Sequence, residues 1–281
     1  MNALELKNVT KSFPDFCLEP LSLTLPSGCI MGLIGQNGAG KTTTIKLILD
    51  MLQPDSGNIS VLGMDHKQHA RLIKEDVGVV LDEVGIPACL TPRQVGKVMQ
   101  HTYKRWDKQR YAELLQKLSL PENKRFSDFS RGMKMKLGIA VAMSHDAKLL
   151  ILDEPTGGLD PVVRDEVVEM FYEFTRQEDH SILISSHIVS DLERLCDYVA
   201  FLHKGKLLLC EEKDALLDTY CCVRGSAEQL SALPASAVLH KRQTPYGDEV
   251  VMRRTDVPSG MKYVPIGIEE LLVTMVKEAR A

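Results

Sequence analysis

The fold of this chain can be inferred from residues 29–51, which read CIMGLIGQNGAGKTTTIKLILDM. The mostly apolar residues 29–34 predict a buried strand. Residues 35–42 match the phosphate-loop pattern G-x-x-x-x-G-K-[ST], and the following residues predict a helix from about 41 to 51. A strand that enters a glycine-rich turn and continues as a helix predicts a nucleoside triphosphate site at the helix start.

The residue types in this loop suit a bound triphosphate. Glycines let backbone N–H groups approach the phosphates, Lys41 can reach the β- and γ-phosphates, and the Thr42 hydroxyl can ligate Mg²⁺. A glycine-rich turn of purely structural use is the alternative, which the flanking strand and helix patterns disfavour. The predicted nucleotide-binding residues of the loop are Gly35, Asn37, Gly38, Ala39, Gly40, Lys41, Thr42 and Thr43.

A second apolar stretch, residues 149–152, runs directly into Asp153 and Glu154. In open α/β sheets, ligands bind beyond the carboxyl ends of the strands. We therefore expect Asp153 to hold Mg²⁺ through water and Glu154 to polarise the water that attacks the γ-phosphate. An exposed acidic turn is the alternative, which the four preceding apolar residues disfavour.

Apolar strand patterns alternate with helical patterns along the chain and predict an α/β fold. We expect a P-loop NTPase core with a mostly parallel sheet, an N-terminal antiparallel β portion, a helical insertion and a small C-terminal α/β appendage. The predicted nucleotide-binding domain spans residues 1–216, with the helical subdomain at about 87–146, and residues 217–281 form an accessory region.

Several individual elements follow from local signals. Thr91-Pro92 predicts a capped helix start, and Asp107 can cap a helix over residues 108–118. Lys204-Gly205 predicts a hairpin turn between two strands. The predicted strands are residues 4–9, 59–62, 77–81, 182–185, 198–203, 206–210, 221–225, 237–242 and 249–254, and the last helix is 268–280.

The composition narrows the partners. The chain has 281 residues, 44% of them hydrophobic, and its net charge of −4 disfavours nucleic acid as the main partner. No apolar stretch approaches the roughly 20 residues that cross a bilayer, and the N-terminus lacks a signal-peptide pattern. The 7 cysteines are scattered without metal-binding spacing, which favours reduced thiols. We therefore expect a cytoplasmic protein that reaches a membrane only through a partner.

Taken together, the motifs resemble those of the ATP-binding cassette (ABC) ATPases. They are the phosphate loop, SRG at residues 130–132, DEPT at 153–156, GLDP at 158–161 and SSH at 185–187, so the resemblance covers about residues 1–215. It implies an ATPase that uses ATP and Mg²⁺ to power a transporter, peripheral on the inner face of the cell membrane, with a transmembrane permease subunit as its partner.

The resemblance also implies a second cassette. In that family two cassettes, identical or different, close head to tail around two ATPs, each of which meets the signature sequence of the opposite chain. The usual signature is LSGGQ, and the matching residues 129–133 read FSRGM here. Ser130 and Gly132 would then meet the γ-phosphate of the partner's ATP, and Asp160 would contact the opposite subunit.

Two further residues receive roles from the resemblance. His187 matches the switch histidine, which hydrogen-bonds the γ-phosphate and the attacking water. Phe13 matches the aromatic residue that stacks on adenine, with Phe16 as a competitor and a core phenylalanine as the alternative. The predicted catalytic residues are thus Lys41, Glu154 and His187.

The largest departure from the family pattern is Asp82, in the segment VGVVLDE at residues 77–83. The family commonly has glutamine there. Asp82 offers oxygens to a metal and is a candidate Mg²⁺ ligand with Thr42 and Asp153, while Glu83 could replace it in a shifted register. The acidic residue and the FSRGM signature resemble the exporter-type branch, which serves efflux of drugs, antibiotic peptides or lipids.

Two other functions compete with that of a transporter motor. A soluble ABC ATPase acting on ribosomes or DNA is disfavoured because the chain carries one set of motifs, no long insertion and an acidic composition. A nucleotide-binding module without turnover is disfavoured by Lys41, Glu154 and His187. Residues 217–281 carry no motif and could either pack as an appendage or stabilise and regulate a dimer.

Overall fold

A computed structural model describes residues 1–234, 236–244 and 247–278 of the chain. The strands are β1 (Asn2–Phe13), β2 (Phe16–Pro26), β3 (Ile30–Ile34), β4 (Ser56–Val61), β5 (Met64–Asp65), β6 (Val77–Val80), β7 (Leu149–Asp153), β8 (Ser181–Ser186), β9 (Tyr198–His203), β10 (Lys206–Glu212), β11 (Tyr220–Gly225), β12 (Val238–Thr244), β13 (Gly247–Arg253) and β14 (Tyr263–Pro265). The helices are α1 (Lys41–Ile48), α2 (Ala70–Asp76), α3 (Pro92–Thr102), α4 (Lys108–Lys117), α5 (Arg131–Ala142), α6 (Pro161–Phe174), α7 (Val189–Leu195), α8 (Lys213–Thr219), α9 (Ala227–Ser231) and α10 (Ile268–Glu278), with 3₁₀ turns at Phe126–Asp128 and Arg254–Asp256.

The central sheet has the order β10-β9-β3-β8-β7-β6. All its pairs are parallel except the edge pair of β9 and β10, which confirms the predicted mostly parallel sheet. Parallel pairing brings the carboxyl ends of β3, β6, β7 and β8 to one edge of the sheet. The phosphate loop follows β3, and the acid pair, Asp153 and Glu154, lies at the end of β7.

Alternate residues of the central strands face two separate cores, as the strand period of two requires. On β7, Leu149 and Ile151 pack with α1 and the N-terminal sheet, whereas Leu150 and Leu152 pack with the helical insertion and the later helices. The sheet is therefore buried on both faces, which explains its continuous apolar runs.

The N-terminal sheet is antiparallel, as predicted, with the order β2-β1-β4-β5. Strand β2 was not predicted, although its Leu21, Leu23 and Leu25 are buried and alternate with exposed residues. Helix α1 ends at Ile48 rather than near residue 51, because Asp50 adopts the left-handed conformation with φ of 56°.

The helical insertion contains α3, α4 and α5 between β6 and β7. Both predicted caps are confirmed: Thr91 forms a capping box with Gln94, and the Asp107 side chain accepts from the Arg110 N–H.

Among the described residues, no helix combines the length and apolar character needed to cross a bilayer.

The C-terminal region adds an antiparallel sheet of order β12-β13-β11-β14 and helix α10. The proposed boundary at residue 216 falls inside α8, and the short elements α9 and β14 were not predicted. Residues on α10, including Leu271 and Leu272, belong to the same core as the central sheet. The end of the predicted helix, residues 279 and 280, lies outside the described residues.

Candidate active site

The phosphate loop connects β3 to α1 and depends on glycine at two positions. A Cβ on Gly35 would lie 2.5 Å from the Leu202 carbonyl oxygen, so a larger residue would collide with β9. Gly40 has φ of 110° at the N-cap of α1, a conformation that side chains rarely adopt. These constraints leave backbone N–H groups at the start of α1, where a phosphate is favoured.

The loop borders a cavity of about 740 Å³ that gathers many of the predicted site residues in one place. Helix α1, strand β7 and the segment after β6 each contribute a wall. The lining includes Phe13, Phe16, residues 36–43, Asp82, Asp153 and Glu154. A cavity with aromatic residues at one end and lysine, hydroxyl and carboxylate groups at the other suits a nucleoside triphosphate.

Lys41 is buried at the bottom of the loop and has two partners. Its Nζ donates to the Gly35 carbonyl at 2.7 Å and lies 3.3 Å from Glu154 Oε1. Only 6% of the residue is exposed, so the ammonium group is held in place rather than extended into solvent. Lys41 therefore joins the phosphate loop directly to the acid pair.

Asp153 is the last residue of β7 and is anchored by two hydroxyl groups. Thr42 Oγ1 donates to Asp153 Oδ2 at 2.9 Å, and Ser185 Oγ donates to Asp153 Oδ1 at 2.5 Å. Ser185 reaches Asp153 because parallel pairing places the two residues side by side. Ser185 was identified from the sequence as part of the SSH motif, but no role in the site was predicted for it.

Glu154 adopts a left-handed backbone conformation, with φ of 52°. Such a conformation costs of order 1–3 kcal/mol and persists where the surrounding structure enforces it. Here the backbone N–H of Glu154 donates to the Ser185 carbonyl and hydroxyl oxygens, both at 3.1 Å. This turn directs the Glu154 side chain towards Lys41 and His187.

His187 lies beside Glu154 at the end of β8. Its Nδ1 is 2.7 Å from Glu154 Oε2, and because a carboxylate only accepts, Nδ1 carries the hydrogen in this contact. The side chain of His187 is 54% exposed, against 14% for Glu154. Lys41, Glu154 and His187 thus form a continuous polar chain, in which Lys41 and Glu154 line this cavity and His187 lines a neighbouring one.

Asp82 and Glu83, the two alternatives after β6, are separated by the structure. Asp82 lines the nucleotide-sized cavity, whereas Glu83 is absent from its lining and lines a neighbouring one. Asp82 Oδ1 accepts a hydrogen bond of 2.5 Å from Arg131 Nη2, and both side chains are about half exposed. Its role as a metal ligand stays a prediction.

The two phenylalanines also differ. Phe13 is 39% exposed at the end of β1, and its ring centroid is 6.3 Å from that of Phe16. Phe16 packs against the phosphate loop, where a Cβ on Gly40 would lie 3.1 Å from its ring. Phe13 is therefore the freer ring for stacking, and Phe16 supports the loop.

Ser130, Gly132 and Asp160 lie outside the lining of this cavity in the described part of the chain. Ser130 caps α5 by accepting from the Met133 N–H at 3.2 Å, and Asp160 caps α6 by accepting from the Val163 N–H at 3.1 Å. Within one chain Ser130 and Asp160 therefore act as helix caps, and Gly132 lies in the first turn of α5. The contacts of all three residues with a second chain stay predictions.

Comparison with known proteins places the chain in a family. The family described as "ABC transporter" matches residues 18–157. The chain is 34% identical over 208 residues to the bacitracin transport ATP-binding protein BcrA of Enterococcus faecalis, covering 73% of this chain and 68% of that protein. It is 32% identical to the uncharacterized ABC transporter ATP-binding protein YhcH of Bacillus subtilis, covering 91% and 86% of the two chains.

A solved structure of an ATP-binding subunit of an ABC transporter is also similar. It has a TM-score of 0.70 and 28% identity, with 76% of this chain and 91% of that chain covered. These similarities support a transporter ATPase over the soluble alternative. The chain belongs to the ABC transporter family, as an ATP-binding subunit that hydrolyses ATP.

Proposed function

We propose that two such cassettes close around two ATP molecules and that Glu154 activates the water that attacks each γ-phosphate. The observation that carries this proposal is the position of the Glu154 carboxylate. One of its oxygens lies 3.3 Å from Lys41 Nζ and the other 2.7 Å from His187 Nδ1. Because Lys41 is the residue that would grip the β- and γ-phosphates, the base lies within reach of the phosphoryl group to be transferred.

The proposed reaction transfers a phosphoryl group to water. A water oxygen attacks the γ-phosphorus, its proton passes to Glu154, and the bond to the β–γ bridging oxygen breaks to release ADP. Lys41 would exchange the Gly35 carbonyl for phosphate oxygens and stabilise their charge. His187 is half exposed, so it can turn from Glu154 towards the γ-phosphate.

The donor set at the end of the cavity also fits Mg²⁺. Asp153 is 1% exposed and accepts hydrogen bonds from two hydroxyl groups, and among the described residues no cation lies within ion-pairing distance of it. Oxygen donors of this kind suit a small hard cation. Thr42, Asp153 and Asp82 would hold the ion, which would neutralise charge on the phosphate oxygens.

The second cassette would complete each site. Ser130 and Gly132 lie at the exposed start of α5, where helix N–H groups attract an anion, and they do not serve the ATP cavity of their own chain. Asp160 caps α6, and Val162 in its first turn is 69% exposed. This helix start lies near that of α5, since a Cβ on Gly132 would lie 3.3 Å from Leu159, and it offers a contact surface. We therefore assign Ser130 and Gly132 to the γ-phosphate of the partner's ATP, and Asp160 to the interface.

A transmembrane permease subunit is the proposed membrane partner, which would hold this chain at the inner face of the membrane. A mostly apolar cavity of about 470 Å³ lies between the end of α1, helix α2 and the end of α3. Met51 lines this cavity and is 55% exposed. Leu72, which lies on α2 between the lining residues Arg71 and Ile73, is 57% exposed. An apolar segment of the permease would cover these side chains and sense movement of the helical insertion.

We propose export as the direction of transport. The acidic residue at position 82 and the FSRGM signature support the exporter-type branch. BcrA, to which this chain is 34% identical, is named for transport of bacitracin, a name that favours a peptide antibiotic or a similar amphipathic compound as the cargo.

Replacing Glu154 with glutamine tests the catalytic assignment. Glu154→Gln keeps the side-chain shape but removes the base, so phosphate release should fall by about 10²-fold or more while ATP binding persists. Trapped ATP should also convert the variant to a dimer in size-exclusion chromatography.

The matched control is Glu178→Gln. Glu178 is exposed, and its backbone lies against Gly28 near the start of β3, the opposite end of the sheet from the cavity. Its turnover should equal that of the wild type. Undiminished turnover in Glu154→Gln would remove Glu154 from the catalytic role.

A further inference from the structure

Two residues that depart from the family pattern contact each other. Asp82 stands where glutamine is usual, and Arg131 stands where the signature usually has glycine. Although 49 positions separate them in sequence, Arg131 Nη2 donates to Asp82 Oδ1 at 2.5 Å. Each substitution supplies the charge that the other requires, so the two departures form a single feature.

Asp82 connects two parts of the molecule. It lines the ATP cavity with Thr42 and Asp153, and it also lines a neighbouring cavity with Arg131 and Lys134. One carboxylate thus borders both the proposed metal site and the start of the signature helix α5.

The stability of α5 does not explain Arg131. It is the first residue of the helix, where the positive end of the helix dipole disfavours a cation. The pair with Asp82 is also exposed, at 62% and 48% of the two side chains, and exposed pairs contribute little to stability. A weak pair at such a position can exchange partners at little cost.

We propose that Arg131 and Asp82 form an exchangeable ion pair that links a chain's own metal site to the signature sequence that it presents to a second cassette. In one arrangement Asp82 accepts from Arg131. In the other, the Asp82 oxygens serve the Mg²⁺ of the bound nucleotide, and Arg131 is released towards the triphosphate of the partner.

This inference rests on the proposed function, and it makes Arg131 a positioning residue with a defined sign. Arg131 competes with Mg²⁺ for Asp82, so removing it should favour metal binding in the chain's own site. The same removal should weaken closure of the dimer, because the partner's triphosphate loses a cation. Since linkage is reciprocal, Mg²⁺ binding at Asp82 and release of Arg131 favour each other.

The test is a double-mutant cycle with Arg131→Gln, Asp82→Asn and the double variant. The readout is the Mg²⁺ concentration at half-saturation for binding of a fluorescent ATP analogue, measured on protein dilute enough to be monomeric. Arg131→Gln should lower this midpoint by about threefold, the scale of an exposed pair, and should leave it unchanged in the Asp82→Asn background.

Lys134→Gln is the matched control. It removes the same charge from the same helix and cavity, but Lys134 lies over the ring of Phe126 and not against Asp82. Its midpoint should stay within the error of the wild-type value. In the Glu154→Gln background, Arg131→Gln should reduce the ATP-dependent dimer fraction severalfold, the opposite direction to its effect on the midpoint.

Equal effects of Arg131→Gln in both Asp82 backgrounds, or an equal shift in Lys134→Gln, would overturn the exchange. Thermal melting of each variant identifies any that fails to fold, and Arg131→Lys, which keeps the charge, should then behave like the wild type. Failure of the wild type to bind the nucleotide with Mg²⁺ would overturn the proposed function itself, whereas normal wild-type binding with equal variant effects overturns the ion pair alone.

Discussion

The phosphate-loop half and the signature half of the proposed site differ in what their side chains contact within one chain. Lys41 and Asp153 are buried and bonded to other residues of the same cavity. Ser130 and Asp160 are exposed, and their side chains cap their own helices. The phosphate-loop half is thus organised before a second chain arrives, whereas the signature half consists of capped helix starts that do not line the cavity of their own chain.

This difference separates binding from turnover. Changes in the phosphate-loop half should impair ATP binding or chemistry in a single chain. Changes at Ser130, Gly132 or Asp160 should leave binding by the monomer intact and act only when two chains meet. Arg131 is the exception in this half, because it contacts Asp82 of its own chain.

The largest expected effect comes from Gly132→Asp. An acid in the first turn of α5 is compatible with the helix dipole. A Cβ there would lie 3.3 Å from the flexible end of Leu159 and 3.7 Å from the Gly158 carbonyl oxygen, which is an ordinary contact distance. The added carboxylate would repel the partner's γ-phosphate. We expect turnover to fall about 10²-fold with unchanged affinity of the monomer for ATP, measured by phosphate release and by equilibrium binding.

Gly85→Asp provides the control, because Gly85 is exposed and a Cβ there would meet open space. It adds the same charge just before the insertion and should keep wild-type turnover. Weakened ATP binding by monomeric Gly132→Asp would show that the signature serves its own chain.

A smaller effect, on stability, is expected at the interface between the helical insertion and the core. There His145 stacks on Tyr103 with ring centroids 3.9 Å apart. Burial lowers the pKa of His145 below its ordinary 6.5, although a hydrogen bond to the Glu75 carbonyl opposes the shift. That bond uses Nδ1, and Nε2 is buried without a partner among the described residues. Protonation of His145 would therefore place an unpaired charge in this buried interface.

The lowered pKa of His145 makes the folded protein less stable at acidic pH. The folded state favours neutral His145, so its contribution to stability is complete above pH 6.5 and is lost as pH falls through the lowered pKa. His145→Asn should cost about 1 kcal/mol at pH 7.5 and should show a smaller loss of stability between pH 7.5 and 5.5. Urea unfolding at the two pH values measures this, and parallel losses in both proteins would contradict the assignment.

Local patterns predicted most of the fold and the phosphate-loop half of the site. The phosphate loop, the acid pair and the caps at Thr91 and Asp107 each depend on neighbours within a few residues, so their sequence signals are strong. Strand β2 was missed because Pro20, next to the exposed Glu19, breaks the alternation of apolar and exposed residues. The end of α1 was misplaced because Asp50, not a glycine, takes the left-handed turn.

Contacts between distant segments could not be predicted in this way. The bond from Ser185 to Asp153 depends on the register of β7 and β8, and the pair of Asp82 and Arg131 depends on how the insertion folds back on β6. Leu272 and Val276 of α10 line one cavity together with His187, although no motif in the C-terminal region suggests proximity to the site. Such contacts arise from tertiary packing, which a single sequence does not specify.

The most direct test of the composite site mixes two defective chains. Lys41→Ala removes the lysine that binds the phosphates but leaves the signature sequence intact. Gly132→Asp disrupts the signature sequence but leaves the phosphate loop intact. If each ATP is shared between chains, an equimolar mixture forms heterodimers with one intact site and should regain up to about a quarter of wild-type phosphate release. A mixture that releases no more phosphate than the sum of its two components would contradict the account.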